Sequence, residues 1–260
     1  MIVARALAGA LALVVSGCSA APPAAAPETG VELLRPEVLA EQPHDTAAFT
    51  QGLELADGVL YEGTGLAGES QLRELDPATG ALRRAVPLPG ELFGEGITVV
   101  GDRIWQLTWQ DGVALEWDRA SFELLREVPL DGEGWGLCHD GERLVRSDGT
   151  ARLRFHDPRS LAELGAVDVA LDGEPVTMLN ELECVDGQVW ANVWRTDRIV
   201  RIDPADGRVT AVVDATGLLD PERRRGADVL NGIAALGGGE YLLTGKLWPV
   251  TFRVRFVPDG

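Results

Sequence analysis

The chain has 260 residues, with 41 acidic and 23 basic side chains and a formal net charge of −18. Such a surface repels phosphate backbones and anionic lipid headgroups, which argues against a nucleic-acid partner. His44, His139 and His156 are scattered with no zinc-ligand spacing between any two, so zinc catalysis is unsupported and no cofactor is expected.

Taken from the amino terminus, Arg5 supplies a thin positive region ahead of the apolar run Ala6 to Val15. A bilayer span needs about 20 apolar residues, so this run suits a signal-peptide core and not a transmembrane helix. It ends in Val15-Ser16-Gly17-Cys18, which resembles a bacterial lipobox. Residues 1–18 are therefore expected to be a lipoprotein signal with Cys18 lipidated, an ordinary signal peptide with an incidental cysteine being the alternative. Residues 19–30 are Ala/Pro-rich without amphipathic period and are predicted to be a tether. The expectation is an exported, extracytoplasmic protein that meets the membrane only through a lipid anchor, with residues 31–260 as its folded domain.

Beyond Val31 a unit recurs: a Gly/Asp turn, two short strands, an Asp turn and a further strand. The turns at Asp76, Asp118, Asp157 and Asp203 are spaced by 42, 39 and 46 residues. Segments such as Val113–Trp117, Ala151–Phe155 and Phe252–Phe256 alternate as half-buried strands do, and no stretch shows a helical period of useful length. Gly237-Gly238-Gly239 opens a fifth unit. Five β units at this period predict an all-β, five-bladed β-propeller, with Val31–Glu62 completing the last blade. A closed propeller exposes few edges, so a monomer is expected.

Cys138 and Cys184 occupy similar contexts in neighbouring repeats. A disulfide is open to an exported chain, but equivalent positions are expected to be held apart, and two buried free thiols are predicted.

In a propeller the innermost strands line one channel, so matching positions of successive repeats converge. Each repeat carries a polar or aromatic cluster near its first strand: Phe49-Thr50-Gln51-Gly52-Leu53-Glu54, Phe93-Gly94-Glu95-Gly96, Glu133-Gly134-Trp135, Leu179-Asn180-Glu181-Leu182-Glu183 and Leu230-Asn231. The only lysine is Lys246 and the only asparagines are Asn180, Asn192 and Asn231, in a chain rich in arginine. Lysine is a compact donor whose pKa responds to burial, which makes Lys246 a functional candidate. Glu95 stands between two glycines that would let backbone approach a ligand, and a carboxylate among tryptophans has a raised pKa. Trp109, Trp135 and Trp194 flank the polar clusters and are pocket candidates, whereas Trp117 and Trp190 fall in regular strands and read as packing. Gln51 and Asn180 are equally compatible with structural amide bridges.

The motifs Phe49-Thr50-Gln51-Gly52-Leu53, Tyr61-Glu62-Gly63-Thr64-Gly65, Phe93-Gly94-Glu95-Gly96-Ile97-Thr98, Leu179-Asn180-Glu181-Leu182 and Thr244-Gly245-Lys246-Leu247-Trp248 together resemble the plant and bacterial type of glutaminyl-peptide cyclotransferase. The resemblance runs from Phe49 to Phe256 and implies a five-bladed propeller, no metal, and conversion of an N-terminal glutamine of a peptide or protein to pyroglutamate with release of ammonia. It also implies roles: Glu95 as proton shuttle, Asn180 and Lys246 on the γ-carbonyl oxygen, Phe49, Trp109 and Trp194 as walls, and Gln51 and Glu54 orienting the substrate amine. Two other readings stay open. A lactonase-like propeller hydrolase would use Glu95, Asn180, Asn231 and Asp148 as oxygen ligands for a divalent cation, which a buried lysine opposes. A peptide-binding propeller without catalysis would leave the Glu/Asn/Lys convergence unexplained.

Overall fold

Alternating apolar residues separated by Gly and Asp turns fold into short antiparallel meanders. The computed structural model describes residues 1–2 and 30–260, and Val31–Gly260 forms one unit. The predicted signal segment, Cys18 and most of the tether lie outside the described residues.

After strand β1 (Glu32–Pro43), the first meander holds β2 (Thr50–Ala56), β3 (Val59–Thr64), β4 (Gln71–Leu75) and β5 (Leu82–Pro87). The second holds β6 (Gly94–Val100), β7 (Arg103–Thr108), β8 (Val113–Asp118) and β9 (Leu124–Pro129). The third holds β10 (Leu137–His139), β11 (Leu144–Arg146), β12 (Arg152–His156) and β13 (Glu163–Asp168). A small hairpin of β14 (Ala170–Leu171) and β15 (Glu174–Pro175) follows. Then come β16 (Leu179–Val185), β17 (Gln188–Val193), β18 (Arg198–Ile202) and β19 (Val209–Asp214), and finally β20 (Leu230–Gly237), β21 (Glu240–Gly245) and β22 (Val250–Pro258). The first three meanders are separate four-stranded sheets, β14 and β15 pair alone, and β1 with β16–β22 forms one eight-stranded sheet in the order β16-β17-β18-β19-β1-β22-β21-β20. The described residues contain no helix, and the arrangement is all-β and propeller-like.

The hydrophobic clusters lie between successive sheets. Tyr61, Leu72, Ile97, Ile104 and Trp117 join the first sheet to the second, and Trp105, Leu107, Leu137 and Leu144 join the second to the third. Another cluster packs the third sheet on β16–β19, and a further one containing Trp190 packs β16–β19 on β20–β22. Leu53, Leu60, Ala234 and Leu242 then join β20 and β21 to the first sheet. Each sheet thus buries its faces only against its neighbours, and Trp117 and Trp190 serve as packing residues.

Two expectations need correction. Only β1 completes the last sheet, antiparallel to β22 from Leu34↔Pro258 to Pro43↔Val250 and parallel to β19. Thr50–Glu62 belong instead to the first sheet, because the Asp57-Gly58 turn pairs β2 with β3. Cys138 and Cys184 are not free thiols but a disulfide, with Cα atoms 5.4 Å apart. Their strands, β10 and β16, are the first of adjacent units, and first strands converge on the central axis, so equivalent positions meet instead of staying apart.

Candidate active site

In each antiparallel hairpin the start of the first strand and the end of the second lie at the same end of the sheet. Gln51, Glu95, Asn180 and Asn231 stand at the starts of β2, β6, β16 and β20, while Trp109, Trp194 and Lys246 follow the ends of β7, β17 and β21. One end of the molecule therefore gathers residues from across the sequence around a pocket of about 360 Å³. Phe49, Gln51, Glu95, Trp109, Trp135, Asn180, Trp194 and Lys246 all line it. Phe93, Arg195, Asp228 and Val229 complete the lining, and the sequence reading assigned none of them a role.

Glu95 is 5% exposed. Burial pushes its carboxyl well above the usual range, the Lys246 ammonium opposes this, and the Glu133 charge adds to it. Gln51 Nε2 donates to Glu95 Oε1 at 2.9 Å, and Asn231 Nδ2 donates to Gln51 Oε1 at 3.2 Å and to the Thr50 carbonyl at 3.0 Å. Gln51 thus holds Glu95. Glu95 Oε2 and Asn180 Oδ1 are buried without a protein partner among the described residues. The glycines beside Glu95 serve the fold and not a ligand: a Cβ on Gly94 would lie 2.6 Å from the Thr64 carbonyl, and one on Gly96 2.6 Å from that of Trp135. Gly96 N donates to that same Trp135 carbonyl at 2.7 Å, tying the second unit to the third.

Lys246 is buried, its Nζ 4.8 Å from the centre of the Phe49 ring. Burial lowers its pKa from the ordinary lysine value, while the carboxylates of Glu95 and Asp228 work to raise it. Next to Phe49 in the chain, Thr50 belongs to a charged network. His44 donates to the Trp248 carbonyl at 2.8 Å and to Glu62 at 2.9 Å, and Thr50 and Arg73 also donate to Glu62, at 2.7 and 3.1 Å. With acceptors on both ring nitrogens, His44 has its pKa raised although burial acts to lower it, the hydrogen bond and charge of Glu62 prevailing. The sequence offered no sign of this histidine's role, because its partner lies 18 residues away on β3.

Glu54 is not brought to the pocket. It lies three residues beyond Gln51 on β2, which at 3.3 Å per residue places it roughly 10 Å deeper in the channel. There its Oε2 accepts from Val99 N at 3.0 Å. Glu181, the residue after Asn180, accepts from Leu53 N at 3.2 Å and Ile233 N at 2.9 Å, and Asn192 on β17 accepts from Gly232 N at 3.0 Å. Asp148 is engaged by Thr150 and by Arg154, the latter at 3.0 Å. No group of three or more His, Cys, Asp and Glu side chains is arranged to hold a metal ion among the described residues.

Such a site can hold an uncharged side chain between aromatic walls, move a proton at Glu95 and offer two donors, Lys246 and Asn180, to an oxygen that gains charge. Comparison with known proteins agrees with this chemistry. A family model described as glutamine cyclotransferase matches residues 9–256. A glutaminyl-peptide cyclotransferase of Arabidopsis thaliana is 39% identical over 225 residues, covering 84% of this chain and 70% of that protein. The crystal structure of Myxococcus xanthus glutaminyl cyclase superposes with a TM-score of 0.80 at 40% identity, over 89% of this chain and all of that one.

Proposed function

The chain belongs to the glutamine cyclotransferase family, and on that premise we propose how its pocket converts the N-terminal glutamine of a peptide or protein into pyroglutamate and ammonia. We read the meanders as five blades around a channel, with β1 as the outer strand of the last, so that the pocket is the mouth of that channel.

The substrate's side chain folds back between Phe49, Trp109, Trp135 and Trp194, bringing its α-amine onto its own γ-carbon. Holding both groups of one residue in this geometry supplies much of the acceleration. The amine nitrogen bonds to the γ-carbon, and the electron pair of the carbonyl moves onto oxygen, where Lys246 and Asn180 donate to it. Glu95 Oε2 takes the proton lost by the amine and returns it to the amide nitrogen, and the C–N bond breaks to release ammonia. A carboxyl with a raised pKa suits both halves of this transfer. Gln51 acts on Glu95 Oε1 and leaves Oε2 to the substrate, so its contact with the substrate amine is indirect. No metal takes part in these steps. The membrane attachment at Cys18, export from the cytoplasm and a monomeric state remain part of this reading.

The observation that carries the proposal is Glu95, clamped through one oxygen by Gln51 and partnerless at the other, facing Lys246 across an aromatic pocket. Ammonia release from a glutamine-headed dipeptide, measured with and without a chelator, tests it. Release that resists the chelator is expected. Release abolished by the chelator and restored by a divalent cation would move the assignment to a metal hydrolase.

A further inference from the structure

The walls of the pocket form two aromatic arcs. Phe49, Phe93 and Trp109 follow one another with ring centroids 6.1 and 5.6 Å apart, and Trp135 meets Trp194 edge-on at 5.4 Å. Between the arcs stands the side chain of Glu133. Its Oε2 accepts from Trp109 Nε1 at 3.0 Å and from Trp135 Nε1 at 2.8 Å, while its Oε1 accepts from Gln110 Nε2 at 2.6 Å. The loop that carries it is anchored from below. Arg146, 2% exposed, donates to the Asp131 carbonyl at 2.9 Å and to that of Glu133 at 3.4 Å.

We propose that Glu133 is a positioning residue for the cyclisation, one carboxylate oxygen fixing the gap between the Trp109 and Trp135 indoles into which the glutaminyl side chain folds. This rests on the cyclotransferase reading above. An indole has one donor, and both are committed to Glu133, so these tryptophans act on the substrate as walls and not as hydrogen-bond donors. Bonds from N–H to a carboxylate are stronger than those between neutral partners. Trp109 needs such a tether because it is 39% exposed at the rim, where packing alone leaves its ring free to turn. Hydrogen bonds from Gln110, Trp135 and Trp109 overcome the effect of burial and hold the Glu133 carboxyl below its usual range, so it is charged at neutral pH. Asp148 is the neighbouring charge that opposes this.

The same charge reaches the shuttle. The charged groups facing Glu95 are Lys246 and Glu133, acting in opposite directions. Glu133 therefore sets both the width of the pocket and, in part, the pH at which Glu95 gives up its proton.

The two effects separate in kinetics of Glu133→Ala and Glu133→Gln across pH, with binding of a pyroglutamyl dipeptide followed by tryptophan fluorescence. Glu133→Ala frees both indoles, and the expected result is a KM raised on the order of ten-fold, a smaller fall in kcat and weaker product binding. Glu133→Gln keeps an amide oxygen for the indoles but loses the charge. Its KM returns towards that of the parent protein, while the acid limb of its profile moves to lower pH. Parental KM and product affinity in folded Glu133→Ala overturn the proposal, as does a Glu133→Gln protein with KM as high as that of the alanine variant. Should Glu133→Ala not fold, Glu133→Gln decides alone: an unmoved acid limb overturns the proposal and a displaced limb at near-parental KM supports it. A parent protein that binds the product without releasing ammonia from glutamine peptides would instead sink the cyclotransferase reading.

Discussion

The mouth of the channel and the strands below it are built from the same residue types, Glu and Asn, yet they differ in what those side chains touch. Below, Glu181 spans from β16 to backbone N–H groups of β2 and β20, Asn192 accepts from β20, and Glu54 accepts from β6. These groups tie together strands that share no ladder hydrogen bonds. At the mouth, Glu95 Oε2 and Asn180 Oδ1 have no such partner. A buried polar atom without a partner costs about 1–3 kcal/mol, and these two belong to residues that line the pocket, where a substrate can satisfy them.

Substitutions at the two levels should then fail in different ways. The largest effect is expected for Glu95→Gln, which keeps size and the Gln51 contact but cannot shuttle a proton. Its kcat should fall about 10³-fold with little change in KM or melting temperature, the scale of a lost general acid–base group. In the parent protein, protonation of Glu95 as pH falls should extinguish activity, and because burial raises its pKa the acid limb should lie above the ordinary carboxylate range. A limb near pH 4, or a Glu95→Gln protein of full activity, would erase the distinction drawn here.

Next in size is Glu181→Ala, which strands the N–H groups of Leu53 and Ile233. Loss of about 3 kcal/mol in denaturant unfolding is expected, with kcat per folded molecule changed by less than about three-fold. The smallest effect sharpens the comparison in the opposite direction. Burial raises the Glu54 carboxyl from 4.5 to about 7 in the folded protein, against the hydrogen bond from Val99 and the Arg119 charge that lower it. The folded state then binds more protons than the unfolded one between those values, so this group makes stability decline as pH rises through that window and level off above it. Glu54→Gln should flatten the decline and stabilise the protein at pH 8 by on the order of 1–3 kcal/mol. Thermal melts at pH 5 and pH 8 provide the test.

Much of this was legible in the chain. Asp turns at regular intervals mark the meanders, and the rare Lys246 and Asn180, with Glu95, stand where repeats converge. What stayed hidden depends on depth and on neighbouring units. Nothing in Phe49-Thr50-Gln51-Gly52-Leu53-Glu54 tells that Gln51 sits at the mouth and Glu54 far below, since that follows from where the hairpin begins. Spacing along the sequence hides the Cys138–Cys184 bond, because it reports the distance along a repeat and not the convergence of first strands. Glu133 lay within a quoted cluster, but its partners Trp109 and Gln110 belong to the preceding unit. Phe93 and Asp228 lack a chemical signature of their own, and they enter the pocket only through the loops that carry them.

The pairing of β1 with β22 sets an order of events in folding. The first of the described strands has the last as its antiparallel partner, with more than two hundred residues between Leu34 and Pro258. Joining ends so distant carries a large loop-closure cost and slows folding. Until it happens, β22 has an open edge and the exposed Val38 and Leu39 lie on the stretch of β1 that β19 does not pair, both templates for the wrong partner. Charged residues on both strands, Glu37 and Glu41 on β1 and Arg253 and Arg255 on β22, keep that interval soluble; in the folded protein both arginines pair with Glu240 of β21 and Glu41 pairs with Arg223.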